Sequence, residues 1–173
     1  GRDWTKPSCE KLLNVNADTL ELLLDGWLVL GDTRYRERAA DIIRYIRNNL
    51  INREPAGFFA SQAADEHYYD SNATTRRHLK SPPIDRSEYA DYTARMAISF
   101  VHAAEVFEDS SLLEFAVASL ERVVLDTYQR GKGVGHNLNN GESVRGLLID
   151  HVTVSDALLE LYQATDRDAY LDL

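Results

Sequence analysis

Cysteine is nearly absent: Cys9 stands alone in 173 residues. One thiol excludes an internal disulfide framework and a cysteine-rich metal site, and fits a reducing, cytoplasmic setting. Basic residues are in the minority, 19 Lys and Arg against 28 Asp and Glu, for a formal charge of −9. Phosphate backbones need a basic face, so no nucleic-acid partner is expected. The clusters Arg34, Arg36, Arg38 and Arg76, Arg77 do not change this, because acidic residues interrupt or outnumber them. The first reads as a solvated helix face. No apolar run reaches the roughly 18–20 residues of a membrane span, and no signal peptide is visible, so no membrane partner is expected. No His-x3-His or comparable ligand spacing occurs, so neither a metal nor another cofactor is expected. What remains is ordinary globular material, 44% hydrophobic and 27% charged. Its length suits one domain with a real core.

Apolar spacing gives the helices. Tyr35, Ala39, Ile42, Ile43, Ile46 and Leu50 form one stripe on a helix whose other positions are charged. This pattern predicts an outer helix. The segment before it, from Leu12 to Leu30, is apolar nearly all round, which predicts burial by neighbours on more than one side. Gly31-Asp32 separates the two, with Asp32 the expected N-cap. The pair recurs as an apolar helix over Tyr89–Phe107 and an amphipathic one carrying Leu113, Ala116, Val117, Leu120, Val123 and Val124. A third apolar helix is predicted over Leu147–Ala164, with Ala169-Tyr170-Leu171 opening its partner.

The three junctions align as Gly31-Asp32, Glu108-Asp109 and Thr165-Asp166. Repeated hairpins that each leave one face unburied must stack on their neighbours. The expectation is an all-α fold, a partial (α/α)6 toroid with about two and a half hairpins in one domain over 1–173. The connections, about 51–86 and 129–146, should gather at one rim of the ring, where sites usually sit. Segment 66–86 reads as an exposed excursion. The chain opens on Gly1-Arg2-Asp3-Trp4 and stops at Leu173, inside what reads as the third outer helix. A fragment of a larger toroid, or a ring completed by other chains, is therefore expected.

Several stretches resemble the C-terminal helical region of the spermatogenesis-associated, thioredoxin-domain-containing protein family. They are Trp4-Thr5-Lys6-Pro7-Ser8-Cys9-Glu10-Lys11-Leu12-Leu13, Asn16-Ala17, and Gly57-Phe58-Phe59-Ala60-Ser61-Gln62-Ala63-Ala64-Asp65. Asp85-Arg86-Ser87-Glu88-Tyr89-Ala90-Asp91-Tyr92-Thr93-Ala94-Arg95-Met96 and Leu147-Leu148-Ile149-Asp150-His151 continue the likeness in order. The resemblance implies a six-hairpin toroid similar to glycoside hydrolases and N-acylglucosamine 2-epimerases. It also implies partners in the rest of a longer protein, namely the remaining hairpins and a thioredoxin-like domain. The chain departs from the family pattern at Ser8, Cys9, Ala63 and Tyr92-Thr93, where His, Phe, Asp and Trp-Asn are usual.

Candidate chemistry falls on carboxylates, histidines and aromatics near the rim. Glu10, Asp65, Asp91 and Asp150 stand at hairpin starts or in connections, where they either line a pocket or cap helix N-termini. His136, in Gly133-Val134-Gly135-His136-Asn137, and His151 are candidate acid–base groups, since imidazole titrates near working pH. His102, on an apolar helix, reads as a hydrogen-bonded core residue. Trp4, Phe58 and Tyr92 are rings on which a sugar could stack, although Phe58 and Phe59 fit better as anchors of the loop, with Gly57 at the turn. The catalytic candidates are Asp91, Asp150, His151 and His136; the binding candidates are Glu10, Trp4, Phe58, Gln62, Asp65 and Tyr92. The functional expectation is a carbohydrate-active or carbohydrate-binding toroid fragment, glycosidase-like or sugar-epimerase-like if it is an enzyme. The alternative is a non-catalytic scaffold or protein-interaction module supporting the thioredoxin-like domain.

Overall fold

The computed structural model describes residues 8–138 and 144–173. Five long helices dominate: α1 (Leu13–Leu30), α2 (Thr33–Asn49), α5 (Ala90–Phe107), α6 (Ser110–Thr127) and α7 (Leu148–Thr165). Between α2 and α5 lie the short helices α3 (Glu66–Asp70) and α4 (Ala73–Arg76). α5 packs against α1 on one side and α7 on the other, while α2 backs α1 and α6 backs α5. The chain is thus all-α, two complete hairpins and the inner helix of a third, laid side by side as a sector of an (α/α)6 toroid.

Burial follows the sequence pattern. On α2 only Ala39, Ile43 and Ile46 are buried, a single stripe four and three residues apart. On α5 ten positions are buried, among them Met96, Phe100, Val101 and Ala103, because three helices surround it. Phe58 joins this core, edge-on to Phe100 and Phe115 with ring centroids 5.2 Å apart in both pairs. Fully burying a side chain such as Phe100 contributes about 1.5–3 kcal/mol. The outer members of the inner row are different. α1 exposes Val15, Leu22 and Val29, and α7 exposes Leu148, Val152 and Leu159. These residues recur at helical intervals, so each helix presents one apolar stripe on the side away from α5.

Each inner helix ends on a left-handed residue: Gly31 (φ 65°), Glu108 (φ 54°) and Asp166 (φ 56°). Their amides return to Trp27, Ala104 and Tyr162 carbonyls, closing the last turn. Asp32 and Asp109 then cap α2 and α6 by accepting from the Arg34 and Ser111 amides. Asp166 therefore matches Gly31 and Glu108, one position earlier than the sequence alignment of the junctions placed it. The expected third outer helix is also corrected: after Asp166 there is one 3-10 turn, Asp168–Tyr170. A lone turn fixes several dihedrals for few hydrogen bonds. Tyr170 holds it by burying its ring and donating its hydroxyl to Glu121, 2.7 Å away.

The 51–86 connection is more ordered than a loop. β2 (Ile51–Arg53) pairs antiparallel with β3 (Ala56–Phe58). β4 (Ser61–Gln62) lies between β1 (Lys11–Leu12) and β5 (Ile84–Asp85). The expected excursion over 66–86 carries α3 and α4, capped by Asp65 and Asn72. Arg76 pins it by donating to the carbonyls of Tyr68, Tyr69 and Ser71. Gly57 has a reason other than the expected turn. A Cβ there would lie 2.5 Å from Arg122 Nη1 and 2.7 Å from Glu88 Oε1, so its missing side chain makes room for a buried ion pair.

Candidate functional site

The rim is built where inner helices begin. Asp91 is in the first turn of α5 and Asp150 in the first turn of α7. The backbone after α6 returns as an extended segment that docks on the residues before α5. Ala90 N donates to His136 O (2.8 Å) and Leu138 N to Glu88 O (3.1 Å). This docking carries His136 between the two carboxylates. His136 Nδ1 lies 2.9 Å from Asp150 Oδ1 and 3.8 Å from Asp91 Oδ1. A carboxylate oxygen accepts, so Nδ1 carries the hydrogen in the shorter contact. The imidazole also stacks on Tyr89, centroids 4.9 Å apart and planes 24° apart, and Tyr89 meets Tyr92 edge-on at 5.4 Å.

Solvent is largely excluded from the acids. Asp150 is 0% exposed and Asp91 7%. Asp150 Oδ2 and Asp91 Oδ1 have no hydrogen-bond partner among the described residues. Two carboxylates sharing one imidazole repel each other, and a low-dielectric site amplifies that repulsion. Burial, and then the charge of Asp150, hold the Asp91 carboxyl above the usual carboxylate range, with His136 opposing. One ligand atom from each of the three side chains lies within 4.8 Å of the others, a spacing from which a metal ion could also be held.

The remaining expected residues divide. Tyr92 belongs to this neighbourhood: burial first, then the charges of Asp91 and Glu10, raise its phenol. Glu10 accepts from Ser61 Oγ at 3.3 Å on the same side. His151 does not join. It follows Asp150 but turns toward α6, its ring against Gly133, and lines a cavity of about 90 Å³ with Tyr128, Val134 and Ser155. Asp65 is the α3 N-cap, accepting from Tyr68 N at 2.9 Å. Gln62 is buried with both ends of its amide engaged, accepting from Tyr45 Oη and donating to Pro82 O, each at 3.0 Å. Phe58 is the loop anchor already described. Trp4 lies outside the described residues.

A second ionisable cluster was missed. His102 on α5 reads from the sequence as a hydrogen-bonded core residue; it is hydrogen-bonded, but its side chain is 37% exposed. It bridges α1 and α7, with Nδ1 2.7 Å from Glu21 and Nε2 3.2 Å from Glu160. Carboxylates on both nitrogens require the imidazolium. The hydrogen bond to Glu21 is the main reason its pKa rises to about 9; burial opposes, and Glu160 adds to the rise. Below the rim a groove of about 430 Å³ runs along the inner faces of α1, α5 and α7, lined by Asp18, Arg95, Ile149 and Thr153 and reaching His102. The missed signal was spacing: Asp91, Arg95 and His102 fall on one α5 face, four and seven residues apart.

No protein-family model matches the chain, and no curated relative does either. Solved structures do match. The cellobiose 2-epimerase of Spirochaeta thermophila superposes with a TM-score of 0.76 at 16% identity, over 96% of this chain and 42% of that one. A GH76 α-mannanase of Bacteroides thetaiotaomicron gives 0.71 at 16% identity, over 97% and 43%. A D-mannose isomerase gives 0.70 at 14% identity, over 97% and 39%. At such identities the likeness establishes the fold. The chain spans about two-fifths of the length of these structures. No helix among the described residues is long and apolar enough to cross a membrane.

Proposed function

We propose that this chain supplies part of a carbohydrate-acting toroid, with Asp91, His136 and Asp150 as its acid–base centre. The observation that carries the reading is the convergence of two buried carboxylates on one imidazole at the rim of the inner helices. Such a centre holds and moves a proton at the His136 ring: Asp150 fixes the tautomer, and burial and the charge of Asp150 raise the Asp91 carboxyl beside it. Tyr89 and Tyr92 beside it offer aromatic faces, and Glu10 borders the same side. That solved toroids of both hydrolase and epimerase type share the fold supports a sugar as ligand.

The domain is one sector of a longer ring. The apolar stripes of α1 and α7 support further hairpins on either side, and the family resemblance supports a thioredoxin-like domain in the same protein. The single cysteine supports a cytoplasmic location.

A thermal-shift screen of monosaccharides and disaccharides on the whole-length protein tests the reading. A ligand at 100 times its dissociation constant stabilises by about 2.7 kcal/mol. The expected result is a concentration-dependent rise in melting temperature for at least one sugar, abolished in Asp150→Asn. Absence of any rise at high millimolar sugar would leave the carbohydrate reading without support.

A further inference from the structure

We propose that Asp91, His136 and Asp150 form a binding site for one divalent first-row transition cation, zinc being its model, taken up in place of the proton at His136 Nδ1. The proposal goes beyond the carbohydrate reading and does not rest on it.

The three side chains come from separate elements, so no ligand spacing along the sequence announces them. Asp91 stands in the first turn of α5, Asp150 in the first turn of α7, and His136 on the segment that docks against Glu88 and Ala90. Ligand atoms held about 2.0–2.2 Å from one cation stand about 2.9–4.4 Å from each other. His136 Nδ1 lies 2.9 Å from Asp150 Oδ1 and 3.8 Å from Asp91 Oδ1, and one ligand atom from each residue lies within 4.8 Å of the other two. Turning one carboxylate closes what remains.

Unmet acceptors separate a cation site from a plain hydrogen-bonded network. Nδ1 has one hydrogen to give, and Asp150 Oδ1 takes it. Asp91 Oδ1 and Asp150 Oδ2 are left without a donor among the described residues, although Asp91 is only 7% exposed and Asp150 is fully enclosed. A buried acceptor without a partner is costly, and two carboxylates in a low-dielectric site repel each other. A doubly charged cation answers both costs, giving each acid a partner and cancelling the two negative charges. The ligand set is also held in place. Tyr89 stacks on the imidazole, and the bond from Ala90 N to His136 O fixes the backbone that carries it. The His136 side chain is 25% exposed, which gives the ion a way in from the rim.

The His102 cluster has the same composition, one imidazole and two carboxylates, and makes no such site. Glu21 meets its Nδ1 and Glu160 its Nε2, so the ring stands between the acids and both nitrogens carry hydrogens. At His136 both acids approach the same nitrogen, and its lone pair becomes available once the ring hydrogen is carried by Nε2. One imidazole nitrogen with two carboxylate oxygens suits zinc better than calcium, which takes oxygen ligands. Three protein ligands leave a tetrahedral ion one position for water. A loaded centre holds no proton at Nδ1, so the cation and the acid–base role exclude each other.

The test uses the whole-length protein, stripped with a chelator and dialysed, with no sugar present. Zn2+ and Ca2+ are titrated separately by equilibrium dialysis, and Co2+ by its visible absorption. One Zn2+ per chain should weaken by more than about 100-fold in Asp91→Asn and in His136→Gln, beyond the loss of about 10- to 100-fold from removing a residue that merely orients a ligand. Each variant is first shown to be folded by its melting curve. Asp150→Asn should behave alike; if its enclosed position prevents folding, the other two variants decide. The Co2+ band should vanish in His136→Gln and persist in His102→Gln. Zinc held equally by the wild type and both rim variants overturns the proposal, as does no binding at millimolar Zn2+. Ca2+ bound as tightly as Zn2+ overturns the class of ion. Zinc lost in His102→Gln but kept in His136→Gln assigns the ion to the other cluster and overturns the proposal as well. The carbohydrate reading stands or falls separately, on the sugar screen above.

Discussion

Arg122 on α6 and Glu88 before α5 form an enclosed ion pair, Nη2 to Oε2 2.7 Å, with side chains 11% and 0% exposed. Arg122 also donates to Ala56 O at 3.0 Å, and Asn52 donates to Glu88 Oε1 at 3.1 Å, so the pair ties β2 and β3 to the α5–α6 hairpin. The Glu88 carbonyl receives Leu138 N, which places the pair directly behind the segment carrying His136.

Removing one partner of a buried pair strands the other charge, at a cost of about 3–5 kcal/mol. Arg122→Met should lower the urea midpoint accordingly, while Arg122→Met with Glu88→Gln should recover part of the loss. Gly57→Ala should also destabilise, because its Cβ would press on both partners. Denaturation midpoints within about 1 kcal/mol of the wild type for all three would contradict the pair's role.

Periodicity carried most of the fold. The long helices fall within one or two residues of where apolar spacing put them, because α2 and α6 keep one-sided stripes and α5 is enclosed. The connections were harder. β2 and β3 are three-residue strands of one tight hairpin, too short to show a period, and β4 is a two-residue strand whose pairing is set by partners far along the chain, such as Ser61 opposite Asp85. At the rim, Asp91, His136 and Asp150 were each recognisable by type, but their meeting depends on the docking of 134–138 against Glu88–Ala90. His151 looked equivalent to His136, yet adjacent residues on a helix point about 100° apart, and Asp150 took the inward position. Gln62 and Asp65 are plausible binders by position, but Gln62 is engaged by the distant Tyr45 and Pro82 and Asp65 by the local cap of α3.

Gly133 offers a second mutational test. It has φ +72° and lies so close to His151 that a Cβ would come within 1.9 Å of Cε1. Gly133→Ala thus combines backbone strain, about 1–3 kcal/mol, with a clash. Adding His151→Ala should relieve the clash but not the strain. A double-mutant cycle on melting temperature should show a favourable coupling between the two changes; additive effects would mean that the contact is not made.

His102 should make stability fall at alkaline pH. Its folded-state value near 9 exceeds the ordinary 6.5, so the folded protein holds this proton more tightly than the unfolded chain. The contribution is complete below about pH 6.5 and disappears as the pH rises through about 9. Glu21→Gln should bring the NMR titration of His102 down the most, Glu160→Gln less, and both should flatten the decline. A His102 midpoint at or below 6.5 in the wild type would refute the three-helix bridge.

Asp91 tests whether the rim is tuned for chemistry at the expense of stability. Its carboxyl is held above 3.8 by burial and by Asp150, so the folded state resists its ionisation more than the unfolded chain does. The penalty is absent below the unfolded value, grows as the pH rises past it, and is complete above the folded value. Asp91→Asn removes the charge and keeps the shape, so its melting temperature should exceed that of the wild type at pH 8. That advantage should shrink toward pH 4. The same variant should lose sugar turnover by at least about 100-fold, the usual contribution of a positioned acid. Functional sites commonly hold such unfavourable groups. An Asp91→Asn protein no more stable at pH 8 than the wild type would show that the two carboxylates are not in conflict, and the division of roles between Asp91 and Asp150 would fall with it.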